Sequence, residues 1–186
     1  LGLATASYSA HAQDKGVDTL LAAAPTLWRD EGDLTVVVAG ATTGWNGHRE
    51  MAALLDDDRL HLREDVSGDA LELYLQACDV VVVPSREESF GMMIAAAWAM
   101  ARPVVVADLP VLREVVTAGE NVLCFPVGDA EALAAAVRQV LADPVLAAGL
   151  AEKGRAQVTD HHQWPAVIDR WDGFLRSLVA EKAATR

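Results

Sequence analysis

The stretch "PSREESFGMMIAAAWAMARPVVV", Pro84–Val106, decides how the rest of the chain is read. It follows a run of valines, Val80–Val83, that Pro84 stops. A polar turn with the acidic pair Glu87 and Glu88 comes next, then an alanine-rich run from Gly91 to Ala101 made of strong helix formers. Pro103 ends that run, and Val104–Ala107 is β-branched again. Strand, turn, helix and strand in this order form a βαβ unit, whose two strands must run parallel.

The same alternation extends in both directions. Strands are expected at Leu1–Ser7, Leu34–Ala39, Leu60–Arg63, Val80–Val83, Val104–Ala107 and Val122–Phe125. Helices are expected at Val17–Arg29, His48–Leu55, Asp69–Cys78, Gly91–Ala101 and Val111–Ala118, and three more close the chain: Ala130–Leu141, Val145–Val158 and Pro165–Lys182. Asp143-Pro144 breaks the first of these three from the second, and Pro165 suits a first helical turn. Short, continuously apolar strands fit a parallel sheet buried on both faces. The fold class is therefore α/β, a doubly wound, Rossmann-like sheet of about six strands with C-terminal helices. Ligands of such sheets bind beyond the carboxyl ends of the strands, which directs attention to the segments after Ser7, Ala39, Arg63 and Val83.

Composition narrows the function. The chain has 186 residues, enough for one domain with its own core. A net charge of −12 leaves no basic face for a phosphate backbone, so nucleic acid is not an expected partner. No apolar run reaches the length of a membrane span. Cys78 and Cys124 lie in separate apolar runs and read as buried thiols of a cytoplasmic protein. The opening at Leu1, already strand-like, reads as part of something longer. Asp56-Asp57-Asp58 diverges at a helix end, and His161-His162 lacks a second ligand pair, so neither reads as a metal site. Trp164, Trp171 and Phe174 fall near helical spacing, as in a core or a domain interface.

In order and spacing, "DKGVDTLLAA", "LTVVVAG", "LYLQACDVVVVPSREESFGMMIAAAWAMARPVVVADLPVLREVV" and "VLCFPVGDAEALAAAVRQVLAD" resemble the C-terminal, donor-binding half of a family 4 (group 1) retaining glycosyltransferase of the GT-B fold. The resemblance implies strand order 3-2-1-4-5-6 and one donor-binding domain over residues 1–186, with an N-terminal acceptor domain as the missing partner. It implies retaining transfer of a hexosyl group from a nucleotide-diphosphate sugar, with no metal or other cofactor. The chain alone is expected to be inactive.

Glu88 stands between a strand end and a helix start. The resemblance gives it the donor hexose, while a plain acidic residue there would contribute only ~0.5 kcal/mol through the helix dipole. The backbone amides of Phe90, Gly91 and Met92 are expected as unpaired first-turn donors for sugar or diphosphate oxygens. Gly91 leaves room for such an approach, and Ser89 belongs to the same turn. Lys15, at the mouth of the first helix, matches the lysine that neutralises the departing diphosphate. Arg86 is a candidate second cation, or else a surface partner of its neighbour Glu87. Glu114 matches a position lining the donor cleft, and a helix-structural role is equally open.

The departures from the family pattern point one way. Eight positions after Glu88, where the family has a ribose-binding glutamate, stands Ala96. Ala10 and Ser9 replace an arginine that neutralises phosphate, with His11 as a possible substitute. Ala101 and Glu64 replace glycines. Loss of the ribose acceptor removes about 1.5–3 kcal/mol per charge-assisted hydrogen bond. Two alternatives to ordinary catalysis follow: a degenerate, non-catalytic binding or regulatory domain, and a retaining transferase with an atypical donor.

Overall fold

A computed structural model of the chain describes residues 2–7, 14–40, 54, 56–63, 66 and 68–184; for residues 3–7, 183 and 184 it describes the backbone alone. The strands are β1 (Gly2–Ser7), β2 (Thr35–Gly40), β3 (Leu60–Arg63), β4 (Val80–Val83), β5 (Val104–Ala107) and β6 (Leu123–Phe125). The helices are α1 (Val17–Asp30), α2 (Asp69–Ala77), α3 (Met92–Ala99), α4 (Ala130–Ala142), α5 (Pro144–His161) and α6 (Trp164–Ala184), with a 3-10 turn at Pro110–Glu114. The helix expected at His48–Leu55 lies outside the described residues, Leu54 apart.

The described strands form one six-stranded sheet in the order β3-β2-β1-β4-β5-β6, as expected. Every pairing is parallel, with Gly2 opposite Thr35, Leu3 opposite Val80 and Val81 opposite Val104. The order reverses between β1 and β4, which is where an open sheet of this kind leaves a crevice.

Alternation along the strands makes two cores. Val80, Val82, Val105 and Ala107 face one layer, with Leu20, Leu27, Leu133 and Val137 of α1 and α4. Val81, Val83, Val104 and Val106 face the other, with Leu75, Ile94 and Trp98 of α2 and α3. Period-two geometry sends neighbouring valines to opposite faces, so an all-valine strand is what a doubly covered sheet requires.

Caps set several boundaries. Asp143 accepts hydrogen bonds from the amides of Val145 and Leu146, each at 3.0 Å, and starts α5 directly after α4. At the far end of α3 the amide of Ala101 donates to Trp98 and that of Arg102 to Ala97, both at 2.9 Å. This double closure needs a left-handed residue, and Ala101 adopts it at φ 51° without being glycine.

The structure corrects two helix bounds and rules out one of the two readings of the aromatics on the last helix. Val111–Ala118 is not a helix: a 3-10 turn ends at Glu114, because β-branched Val115, Val116 and Thr117 follow and the Thr117 amide turns to the Asn121 side chain at 2.8 Å. Helix α5 runs on to His161. Trp164, Trp171 and Phe174 are no part of this domain's core, being 78%, 59% and 53% exposed on α6. Both cysteines are free thiols.

Candidate functional site

Two turns meet where the strand order reverses. One, Asp14-Lys15-Gly16, leads into α1; the other, Pro84 to Gly91, joins β4 to α3. Gly16 has φ 61°, and a Cβ there would lie 1.8 Å from the Pro84 carbonyl oxygen. Only glycine lets the turns touch this closely. The amides of Arg86 and Glu87 then both donate to the Asp14 carbonyl, at 2.8 and 3.3 Å.

That contact brings the two main candidates together. The Lys15 Nζ donates to Glu88 Oε1 at 2.7 Å, and the side chains are 24% and 11% exposed. Buried Ser85, two residues past the end of β4, donates its hydroxyl to the same oxygen at 2.9 Å. Glu88 Oε2 accepts no hydrogen bond among the described residues.

Arg86 holds Asp18 of α1 in a two-point pair at 2.6 and 2.7 Å and reaches the Thr19 hydroxyl at 3.2 Å. Hydrogen bonding to Asp18 raises the guanidinium above its ordinary pKa. This pairing ties the β4–α3 turn to α1, a partner that adjacency to Glu87 does not suggest.

Helix α3 starts at Met92, later than its sequence suggests, with Gly91 as its cap at φ 80°. Phe90 and Gly91 therefore precede the helix. The amides of Met92 and Met93 have no hydrogen-bond acceptor among the described residues. Ser89 is exposed, and Met92 is 72% exposed. Phe90 lies edge-on to His162, ring centres 5.3 Å apart. Burial lowers the His162 pKa, with His161 and Arg170 adding to the effect.

Glu114 is exposed on the 3-10 turn. That turn borders the mouth of α3, since a Cβ on Gly91 would stand 3.0 Å from Leu112. No hydrogen bond or ion pair among the described residues joins Glu114 to Lys15 or Glu88. Ala96 is half-buried against the α3 core with Ile94 and Trp98. Ser9, Ala10, His11 and Glu64 lie outside the described residues.

Of the acidic triplet, Asp57 binds Arg59 at 2.7 Å, and that hydrogen bond lowers its pKa to about 2. Among the described residues no group of three or more His, Cys, Asp or Glu side chains is placed to hold a metal ion. No single helix among them is long and apolar enough to cross a membrane.

Sequence reasoning missed Ser85 and Asp18. Ser85 carried one signal, a small polar residue directly after the proline that stops a strand of valines. Asp18 carried none, because its partner is 68 residues away.

An open α/β domain with an ammonium, a carboxylate and free helix-start amides at its switch point can receive an anionic, hydroxyl-bearing ligand. Comparison with known proteins identifies the group. Residues 3–143 match the family model of glycosyl transferases group 1. The chain is 34% identical over 162 residues to the glycogen synthase of Mycobacterium tuberculosis, a match covering 83% of this chain and 37% of that protein. Among solved structures, sucrose-phosphate synthase from Thermosynechococcus elongatus superposes with a TM-score of 0.80 at 26% identity, over 97% of this chain and 46% of that one. The HepE protein of Anabaena, solved with UDP-glucose, has a TM-score of 0.81 at 20% identity, over 94% of this chain and 48% of its own. The chain belongs to the group 1 glycosyl transferases, and its sheet is the C-terminal domain of their GT-B fold. It spans less than half the length of these relatives.

Proposed function

We propose that this chain is the donor-binding half of a retaining glycosyltransferase, taking a nucleotide-diphosphate hexose and working with an N-terminal acceptor domain in the cytoplasm. The observation that carries the reading is the Lys15–Glu88 contact at the switch point, beside the free Met92 and Met93 amides. The HepE complex with UDP-glucose supports the choice of ligand. In the proposed step the bond from the anomeric carbon to the diphosphate breaks, and its electron pair leaves with the phosphate. The acceptor hydroxyl attacks from the same face and passes its proton to the departing phosphate oxygen. Lys15 and the helix-start amides stabilise the phosphate charge, and Glu88 orients the hexose. No metal and no other cofactor enters this charge balance. Ser89, Phe90, Gly91 and Met92 form the walls of the donor site. Arg86 acts through its hold on Asp18, and Glu114 stands at the rim.

One observation favours the non-catalytic reading: Ala96 offers only a methyl group, half-buried, where a ribose-binding carboxylate would stand. The two readings separate by calorimetry of the chain with uridine, guanosine and adenosine diphosphates and their glucose conjugates. The donor reading expects one conjugate to bind, and silence across the whole panel overturns it. In the same assay Ala96→Glu should strengthen a ribonucleotide diphosphate by about 1–3 kcal/mol, with a smaller gain for its 2′-deoxy analogue. A folded variant with no gain for either would place the nucleotide elsewhere.

A further inference from the structure

The Glu88 carboxylate is held by one oxygen only. Oε1 accepts from Lys15 at 2.7 Å and from the Ser85 hydroxyl at 2.9 Å, while Oε2 has no partner among the described residues. The two donors differ in kind. Lys15 is a flexible ammonium, 24% exposed, free to swing to a phosphate. Ser85 is 2% exposed in the turn two residues past the wholly buried β4, and its side chain has one rotatable bond to its oxygen. When Lys15 turns toward an arriving anion, Ser85 is the donor that remains on Oε1.

We propose that Ser85 is a positioning residue: it anchors Glu88 Oε1 so that Oε2 stays turned to the sugar of the donor while Lys15 is engaged elsewhere. The inference rests on the donor-half reading and deepens it. A carboxylate fixed by one oxygen keeps its other oxygen in one place, so hydrogen bonds to a sugar hydroxyl form without first ordering the side chain. The hydroxyl itself touches no substrate. It acts through Glu88 alone.

The measurement is the affinity margin of a nucleotide-glucose over its nucleoside diphosphate, taken by calorimetry with the uridine, guanosine and adenosine pairs. For the pair that binds, Ser85→Ala should cut the margin about tenfold and leave the diphosphate unchanged. Ser85→Thr keeps the hydroxyl and should keep the margin. Ser85→Val has the shape of threonine without the hydroxyl and should lose it, which separates hydrogen bonding from packing. In a Glu88→Ala background the Ser85→Ala change should do nothing further, as two residues acting as one unit require. An unchanged margin in Ser85→Ala, equal weakening of both ligands, or full additivity with Glu88→Ala overturns the positioning role while the donor reading stands. If no pair binds the unmodified chain, the donor reading itself falls and this inference falls with it.

Discussion

At the scale of single residues, the most informative backbone is that of Ala101. Its left-handed conformation closes α3, and an L-residue there carries a cost of roughly 1–2 kcal/mol that glycine avoids. Part of the gain from glycine is lost to chain entropy, so Ala101→Gly should stabilise the fold by about 0.5–1 kcal/mol in urea titration. A loss of stability would mean that the methyl group packs more than it strains. Cys78 gives a second residue-scale expectation. Burial pushes its thiol pKa up to about 11, leaving only about one thiolate in a thousand at pH 8. Cys124, half-buried, is also raised, mainly by burial. Iodoacetamide should therefore label both slowly, with Cys78 slower and both rates rising with pH. Rapid labelling of Cys78 at pH 7 would show that β4 and α2 open readily.

Helices act on one another through their smallest positions. Gly149 and Gly154 both lie in α5. A Cβ on Gly149 meets nothing within 4 Å, whereas one on Gly154 would fall 2.1 Å from the indole of Trp98. Trp98 is fully buried and anchored to the Asn121 carbonyl at 3.1 Å, so it cannot yield. Gly149→Ala should stabilise by up to ~1 kcal/mol through helix propensity, and Gly154→Ala should destabilise by about 1–3 kcal/mol through overpacking. Equal effects in thermal melts would refute the crossing of α5 over α3. The next helix behaves differently. Trp164, Ile168, Trp171, Leu175 and Leu178 of α6 recur at spacings of four and three and remain exposed. The pattern is that of a helix with an apolar seam, but the described residues leave that seam uncovered.

Across the whole molecule the charge is strongly negative, and Lys15 is placed inside that field at the switch point. If it meets a diphosphate, Lys15→Ala should weaken a nucleoside diphosphate more than the free nucleoside. The gap should narrow as salt rises, since a partly exposed charge is screened over about 10 Å at 0.1 M. Equal weakening of both ligands, at any salt, would assign the effect to disturbed folding of the Asp14–Gly16 turn.

The sequence alone determined the layers of this protein. Continuous valine runs, helix formers between them and caps such as Asp143-Pro144 act over a few residues, and each repeats the same message along the chain. The sheet order was an implication of the family resemblance that the motifs carry, and the six described strands follow it. Glu88 and Lys15 were legible as candidates because each matches a motif position of the family and sits beside a helix start. What joins them was not legible. The Lys15–Glu88 contact spans 73 residues and depends on Gly16 lying against Pro84. That approach exists only once β1 and β4 stand side by side in parallel register. The Arg86–Asp18 pair and the anchoring of Glu88 by Ser85 arise from the same meeting of turns. Likewise Gly149 and Gly154 are the same residue in the same helix, and Trp98 alone tells them apart. Local propensity is written in neighbouring residues, but an ion pair or a steric limit belongs to two distant segments, and only their packing assigns it.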